Sequence, residues 1–206
     1  MATDDVQWPA GGGPLAYVED LDRPELDPDD DHHLRRVRRV RDGDPLVIGD
    51  GAGRWRHATL GPSGVEAEGP TRHLDRPDPA VTVAFALVKG AKPELVVRKL
   101  TELGVDRIVP FAAARSVVRW DEAKSVAAAL RLGRVSREAA MQSRQPWLPT
   151  VSAPTTFAAV ASQPGAALAE RGGAPPSLDT PMVLVGPEGG WEPDELAGRP
   201  RVALAP

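Results

Sequence analysis

The stretch AVTVAFALVKGAKPELVVRKLTELGVDRIVPF, residues 80–111, decides the architecture. Ala80–Val88 is nearly all apolar, as a strand buried on both faces must be. Over residues 94–103, Leu95, Val96, Lys99, Leu100 and Leu103 recur at helical spacing, and Gly104 supplies the stop. Asp106–Phe111 (DRIVPF) reads as a strand again. Further on, Asp121–Ser143 has helical character, Pro149–Pro154 is extended and Thr155–Ala161 is a short helix. Ala166–Ala169 and Met182–Val185 are apolar strands, with a loop over Gly172–Pro176 between them. Strands alternating with helices imply a parallel sheet covered by helices, an α/β class.

Upstream the pattern changes. Residues 15–19 read as a first strand, and Pro45–Ile48, Trp55–Leu60 and Gly64–Ala67 as further short ones. Asp50-Gly51 and Gly61-Pro62-Ser63-Gly64 are turn signals between them. This spacing suggests a small β-barrel of about 70 residues. One of Asp29, Asp30 and Asp31 is expected to cap a helix in which Leu34, Val37 and Val40 form a narrow apolar stripe, with Gly43 ending the element. Thr71–Pro79, with Pro77 and Pro79, reads as a linker, which places domains at residues 1–72 and 79–206.

Composition narrows the functional classes. Of 206 residues, 41% are hydrophobic, enough for a core, and no run is long or apolar enough to span a membrane. Met1–Gly13 carries Asp4 and Asp5 and lacks the apolar stretch of a secretory signal. The absence of cysteine excludes disulfides and thiolate metal sites and fits a cytoplasmic protein; no metal is expected. A net charge of −4 means that any nucleic-acid site must be a local patch. The sequence offers HHLRRVRRVR at 32–41, in which Arg35, Arg36, Arg38 and Arg39 point away from the apolar stripe. In isolation such a run is more often a solvated charged face.

The strongest chemical signal is Val183-Leu184-Val185-Gly186-Pro187-Glu188-Gly189-Gly190-Trp191, where a buried strand runs into a glycine turn before a helix starts at Pro193-Asp194-Glu195-Leu196. Ligands of open parallel sheets bind beyond the carboxyl ends of the strands, and glycine lets backbone groups approach them. The turn is neither a dinucleotide fingerprint nor a phosphate loop. Glu188 is a poor neighbour for phosphate, so a neutral or cationic ligand read by backbone fits better. The alternative is a tight turn with geometry as its only purpose. Lys89 and Lys92 follow the first buried strand, Arg115-Ser116-Val117 follow the strand at 106–111, and Gln142-Ser143-Arg144 close the long helix.

Together these segments resemble the RsmE-type 16S ribosomal RNA (uracil-N3)-methyltransferases of the SPOUT superfamily. The similarity rests on HHLRRVRRVRDGD, GDGAGR at 49–54, KGAKPELVVRKLTELGVDRIVPF at 89–111, ARSV at 114–117, AAMQSRQPWLP at 139–149 and LVGPEGGWEPDEL at 184–196. The resemblance implies a PUA-like RNA-binding β-barrel followed by a trefoil-knot domain that binds S-adenosylmethionine as a homodimer in the cytoplasm. Its partner would be 16S rRNA in the small ribosomal subunit, its reaction methylation of N3 of one uridine. Residue by residue, it assigns Leu168, Glu170, Leu184, Gly186, Pro187, Glu188, Gly189, Gly190 and Leu204 to the cofactor. Arg115 and Arg144 become the catalytic cations, and Arg35, Arg36, Arg38, Arg39, Lys89 and Lys92 face RNA.

Two departures stand out. Met141 occupies a position where the family carries Glu before Gln-Ser. The family also continues past its last strand through a Leu-Gly-Pro turn into a Leu-Arg-x-Glu-Thr helix, whereas this sequence ends at Val202-Ala203-Leu204-Ala205-Pro206. The expectation is therefore that the C-terminal knot segment is missing and that the stretch between Leu196 and Val202 is shortened. A catalytically inactive rRNA-binding fragment or pseudoenzyme is the alternative, and cofactor binding separates the two.

Overall fold

The computed structural model describes residues 8–9, 11–90, 92–116 and 122–204. The expectations that involve Asp4, Asp5, Val117, Asp121 and the last two residues lie outside that range. The chain divides into two compact units, one of Met1–Arg76 with Ala140–Leu148, the other of Pro77–Ala139 with Pro149–Pro206.

In the first unit, β1 (Leu15–Tyr17) pairs parallel with β2 (Pro45–Gly49), and β3 (Arg54–Gly61) and β4 (Gly64–His73) continue the sheet antiparallel. The described strands thus make one four-stranded sheet in the order β1-β2-β3-β4. Alternation along β2 buries both faces. Leu46 and Ile48 join Ala16, Ala58, Leu60 and Leu34, while Val47 joins Leu15, Tyr17 and Trp55. Each fully buried aliphatic side chain here contributes about 1.5–3 kcal/mol. Ala140 completes the second cluster, and the Tyr17 hydroxyl donates to the Gln145 carbonyl at 2.7 Å.

The arginine-bearing helix differs from its expected form. Helix α1 covers only Pro28–His32 and passes directly into a π turn over His33–Val37. Its cap is Asp27, whose side chain accepts from the Asp29 N–H, so Asp29, Asp30 and Asp31 lie inside the first turn. In a π turn the bonds reach one residue further than in an α-helix. The Arg38 N–H accordingly meets the His33 carbonyl at 2.9 Å. That extra residue per turn breaks the three-residue stripe: Leu34 is buried, whereas Val37 is 62% exposed. The helix is over by Arg38, and Arg39 takes a left-handed φ of 56°.

The second unit is built on a parallel sheet. Strand β5 (Thr82–Ala86) leads to α2 (Lys92–Glu102), β6 (Arg107–Ala112) and α3 (Glu122–Ser143). Two-residue strands follow, β7 (Thr150–Val151) and β8 (Thr155–Thr156), then α4 (Phe157–Ala161), β9 (Ala166–Ala174), β10 (Met182–Val185), α5 (Pro193–Leu196) and β11 (Arg201–Val202). The sheet order is β11-β9-β10-β5-β6-β7, with β8 also on β6, and every pairing is parallel. Helix α4 starts at residue 157 rather than 155 because the Thr156 hydroxyl accepts from the Ala159 N–H and caps it. The expected loop at Gly172–Pro176 is partly strand. Gly173 runs so close to β11 that an added Cβ would stand 2.6 Å from the Val202 nitrogen. Glycine serves close backbone approach there rather than a turn.

Candidate functional site

In a parallel sheet every strand points its carboxyl end to the same edge, so the loops after β5, β6 and β10 gather there. Val185 ends β10 and is 37% exposed, and the glycine loop begins at the next residue. Its three glycines do different work. Gly186 faces the Trp191 indole, and a Cβ at Gly186 would lie 2.8 Å from Cε2 of that ring. A Cβ at Gly189 would meet the Arg115 side chain in ordinary van der Waals contact at 3.6 Å. Gly190 alone of the three is left-handed, with φ of 74°. The bare backbone is thus Gly189-Gly190, while Gly186 makes room for a ring.

Trp191 anchors the loop. It is buried, stacks on Phe111 with an interplanar angle of 4° at 6.1 Å, and donates from Nε1 to the Ala169 carbonyl at 3.0 Å. Arg115, in the loop after β6, donates from Nε to Glu192 at 2.7 Å and from Nη1 to the Gly189 carbonyl at 2.7 Å. The bond to Glu192 holds the Arg115 guanidinium pKa above its ordinary value. Lys92, at the start of α2, donates to Glu188 at 2.8 Å, and this contact holds the Glu188 carboxyl below its ordinary value. Two buried or capped turns stiffen the neighbourhood. Ser116 Oγ accepts from Ala113 N–H at 3.0 Å, and the buried Glu195 accepts from both Ala114 N–H and Glu192 N–H. A cleft of about 420 Å³ lined by Leu87, Ala112, Ala113, Ala114, Ser125 and Thr155 opens at the same edge.

The expected site residues fall into three groups. Arg115, Glu188, Gly189, Gly190 and Lys92 come together, with Pro187 in the same loop and Lys89 exposed in the loop after β5. Leu168 and Leu184 pair across β9 and β10 with no side-chain exposure, so they floor the site and only their backbone could meet a ligand. Glu170 is half-buried two residues along β9, and Leu204 lies exposed beyond β11. Arg144 belongs to the N-terminal unit. Its guanidinium donates to the carbonyls of Pro9, Gly11 and Gly13, and burial lowers its pKa. In the same unit Arg35 is paired with Asp31 and Asp42 at 2.8 Å each and donates to the Gly61 carbonyl. Arg36, Arg38 and Arg39 are exposed and, among the described residues, carry no ion pair. Sequence reasoning passed over Glu192 and Glu195; a glutamate three residues beyond the helix cap was their signal.

Comparison with known proteins decides the family. An RNA methyltransferase domain model matches residues 76–199, and an RNA methyltransferase PUA domain model matches residues 26–68. Ribosomal RNA small subunit methyltransferase E of Mycobacterium bovis is 37% identical over 191 residues, covering 84% of this chain and 73% of the relative. The chain belongs to this methyltransferase family. The enzyme of the same description from Synechocystis is 34% identical over 189 residues, 81% of this chain and 59% of its own length. Among solved structures, one described as a probable rRNA-methyltransferase from Porphyromonas gingivalis superimposes with a TM-score of 0.74 at 28% identity, covering 94% of this chain and 90% of that one. The ribosomal RNA small subunit methyltransferase E of Neisseria gonorrhoeae, bound to S-adenosyl methionine, shares the fold with a TM-score of 0.72 at 24% identity, covering 94% and 89%. The PUA match, residues 26–68, lies within the first compact unit, and the methyltransferase match, 76–199, lies mostly in the second, with Ala140–Leu148 in the first. No helix among the described residues is long and apolar enough to cross a membrane.

Proposed function

We propose that this chain carries out S-adenosylmethionine-dependent methylation of N3 of a uridine in 16S ribosomal RNA of the small subunit. The observation that carries the reading is the meeting, at one sheet edge, of the bare Gly189-Gly190 backbone with a fixed cation, Arg115. The residues present fit the cofactor. Its polar atoms suit the Gly189 N–H and the Gly190 carbonyl, since Arg115 already holds the Gly189 carbonyl and the Gly190 N–H donates to Pro187, and the partly exposed Glu170 carboxylate suits its hydroxyl or ammonium groups. When bound, the cofactor supplies an electrophilic methyl group. The protein's own part is to hold uracil in place and to stabilise the base as N3 loses its proton. Negative charge develops on the uracil as the N3–H bond breaks and is consumed as N3 takes the methyl group, the S–C bond of the donor breaking to leave a neutral thioether; the Arg115 guanidinium, held in place by Glu192, would stabilise that charge. The proton leaves to solvent.

The finer features of the family complete the proposal: a knotted C-terminal fold, a homodimer, action in the cytoplasm and RNA contact through Arg36, Arg38, Arg39 and Lys89. Leu95 on α2 and Val126 and Leu130 on α3 are more than half exposed, which supports pairing with a second copy. The test is direct. Small ribosomal subunits lacking the modification are incubated with the protein and methyl-labelled S-adenosylmethionine, and the digested rRNA is read by mass spectrometry. Labelled N3-methyluridine at one site is the expected product. Label on another base, or on none with the cofactor bound, would overturn the assignment.

A further inference from the structure

Glu195 is a buried carboxylate that the proposed reaction does not use. It is 6% exposed, and each of its oxygens takes one backbone N–H, Ala114 at 2.9 Å on Oε1 and Glu192 at 3.0 Å on Oε2. The two donors belong to different loops, one after β6 and one after β10. A carboxylate that accepts from both fixes the distance between them, and such charge-assisted bonds are roughly twice as strong as neutral ones. Arg115 repeats the link, since it starts in the first loop and ends on Gly189 and Glu192 of the second. Lys92 adds a third tether at Glu188. The glycine loop is thus held at 188, 189 and 192 before any ligand is present.

A glycine-rich segment has the most conformational freedom to lose on ordering. A loop already tied loses less of it when a ligand arrives, so affinity rises without a new interaction. We propose that Glu195 is a positioning residue that joins the loop after β6 to the glycine loop after β10 and holds the Gly189-Gly190 backbone ready for the cofactor. The proposal rests on the reading of that loop as the cofactor site. A residue that only capped α5 would tie Glu192 and leave Ala114 alone. The bond to Ala114 is what distinguishes the two roles.

Glu195→Gln tests it, because the amide keeps the shape but offers one acceptor where two are needed. Hydrogen exchange of the whole protein without ligand should show the Ala114 and Gly189–Glu192 amides exchanging about tenfold faster, with β5 unchanged. Calorimetry with S-adenosylhomocysteine, which binds without reacting, should show Kd raised about tenfold. In steady state the KM for the methyl donor should rise by more than kcat falls. Unchanged exchange at Ala114, a uniform rise across the sheet, or unchanged affinity with loosened loops would each overturn the proposal. Loosened loops in the variant, together with a wild-type protein that ignores the probe, would confirm the tie and refute instead the cofactor reading of the loop.

Discussion

Gly186→Ala asks why glycine opens the loop after β10. Its φ lies outside the left-handed region, so alanine meets no backbone penalty there. The cost comes from Trp191. The new Cβ would stand 2.8 Å from Cε2 and 3.1 Å from Cδ2 and Cζ2 of the indole. The ring cannot step back freely, because Phe111 stacks on it and Nε1 holds the Ala169 carbonyl. Overpacking of this kind costs about 1–3 kcal/mol, and loss of the indole hydrogen bond moves the value to the upper half. In a chain of this size that corresponds to a fall in melting temperature of roughly 4–12 °C. Urea unfolding with an unchanged slope should give the same ΔΔG. Trp191→Leu opens the space, so the double variant should be more stable than the sum of the singles by about 1 kcal/mol or more. An unchanged melting temperature in Gly186→Ala, or strict additivity in the double variant, would refute the reasoning and return Gly186 to the ligand.

Arg144→Ala removes the guanidinium that gathers the carbonyls of Pro9, Gly11 and Gly13, and should cost about 1–3 kcal/mol of stability with faster exchange over residues 11–13. Wild-type stability with methyl transfer abolished would make it a catalytic cation instead. Replacing Arg36, Arg38 and Arg39 by Ala should lower the slope of log affinity for RNA against log salt by about 0.7–0.9 for each phosphate no longer neutralised, whereas Arg35→Ala should mainly destabilise the N-terminal unit; an unchanged slope in the triple variant would place the RNA elsewhere. Glu188 has its pKa lowered by Lys92, so the link is fully present above the ordinary carboxylate pKa and is lost as pH falls through the lower folded value. Carbon-detected NMR titration should find Glu188 below 4.5 in the wild type and back near it in Lys92→Met; equal values in the two proteins would mean that the pair does not persist in solution.

The parallel sheet was legible because strands buried on both faces leave an unbroken apolar run, as Ala80–Val88 and Met182–Val185 do. Strand limits were less so. Gly172 and Gly173 read as a loop, yet the same lack of a side chain lets β9 press against β11. The π turn at His33–Val37 had no signature in composition, since one additional residue per turn changes only which side chains face inward. Arginines were the hardest to place. Arg35, Arg115 and Arg144 look alike in sequence, and what separates them is the carbonyls and carboxylates that each meets, across 4 to 135 positions. Glu195 escaped for the same reason, because half of its role is an amide 81 residues away.

The pairing of these cations bears on how RNA could be met. An exposed ion pair is screened by solvent and holds weakly, so a phosphate could displace Glu192 from Arg115 or Glu188 from Lys92 at little direct cost. The indirect cost is larger for Arg115, whose guanidinium also bonds the Gly189 carbonyl. Drawing it toward a phosphate would release the backbone on which the cofactor is proposed to rest. Phosphate attraction is therefore better served by Arg36, Arg38 and Arg39, which are exposed and, among the described residues, have no carboxylate to give up. Their charge acts over about a Debye length, roughly 8 Å at physiological salt, and needs no fixed geometry. Under the proposed function, the N-terminal arginines would steer RNA and Arg115 would keep its place for the reacting base.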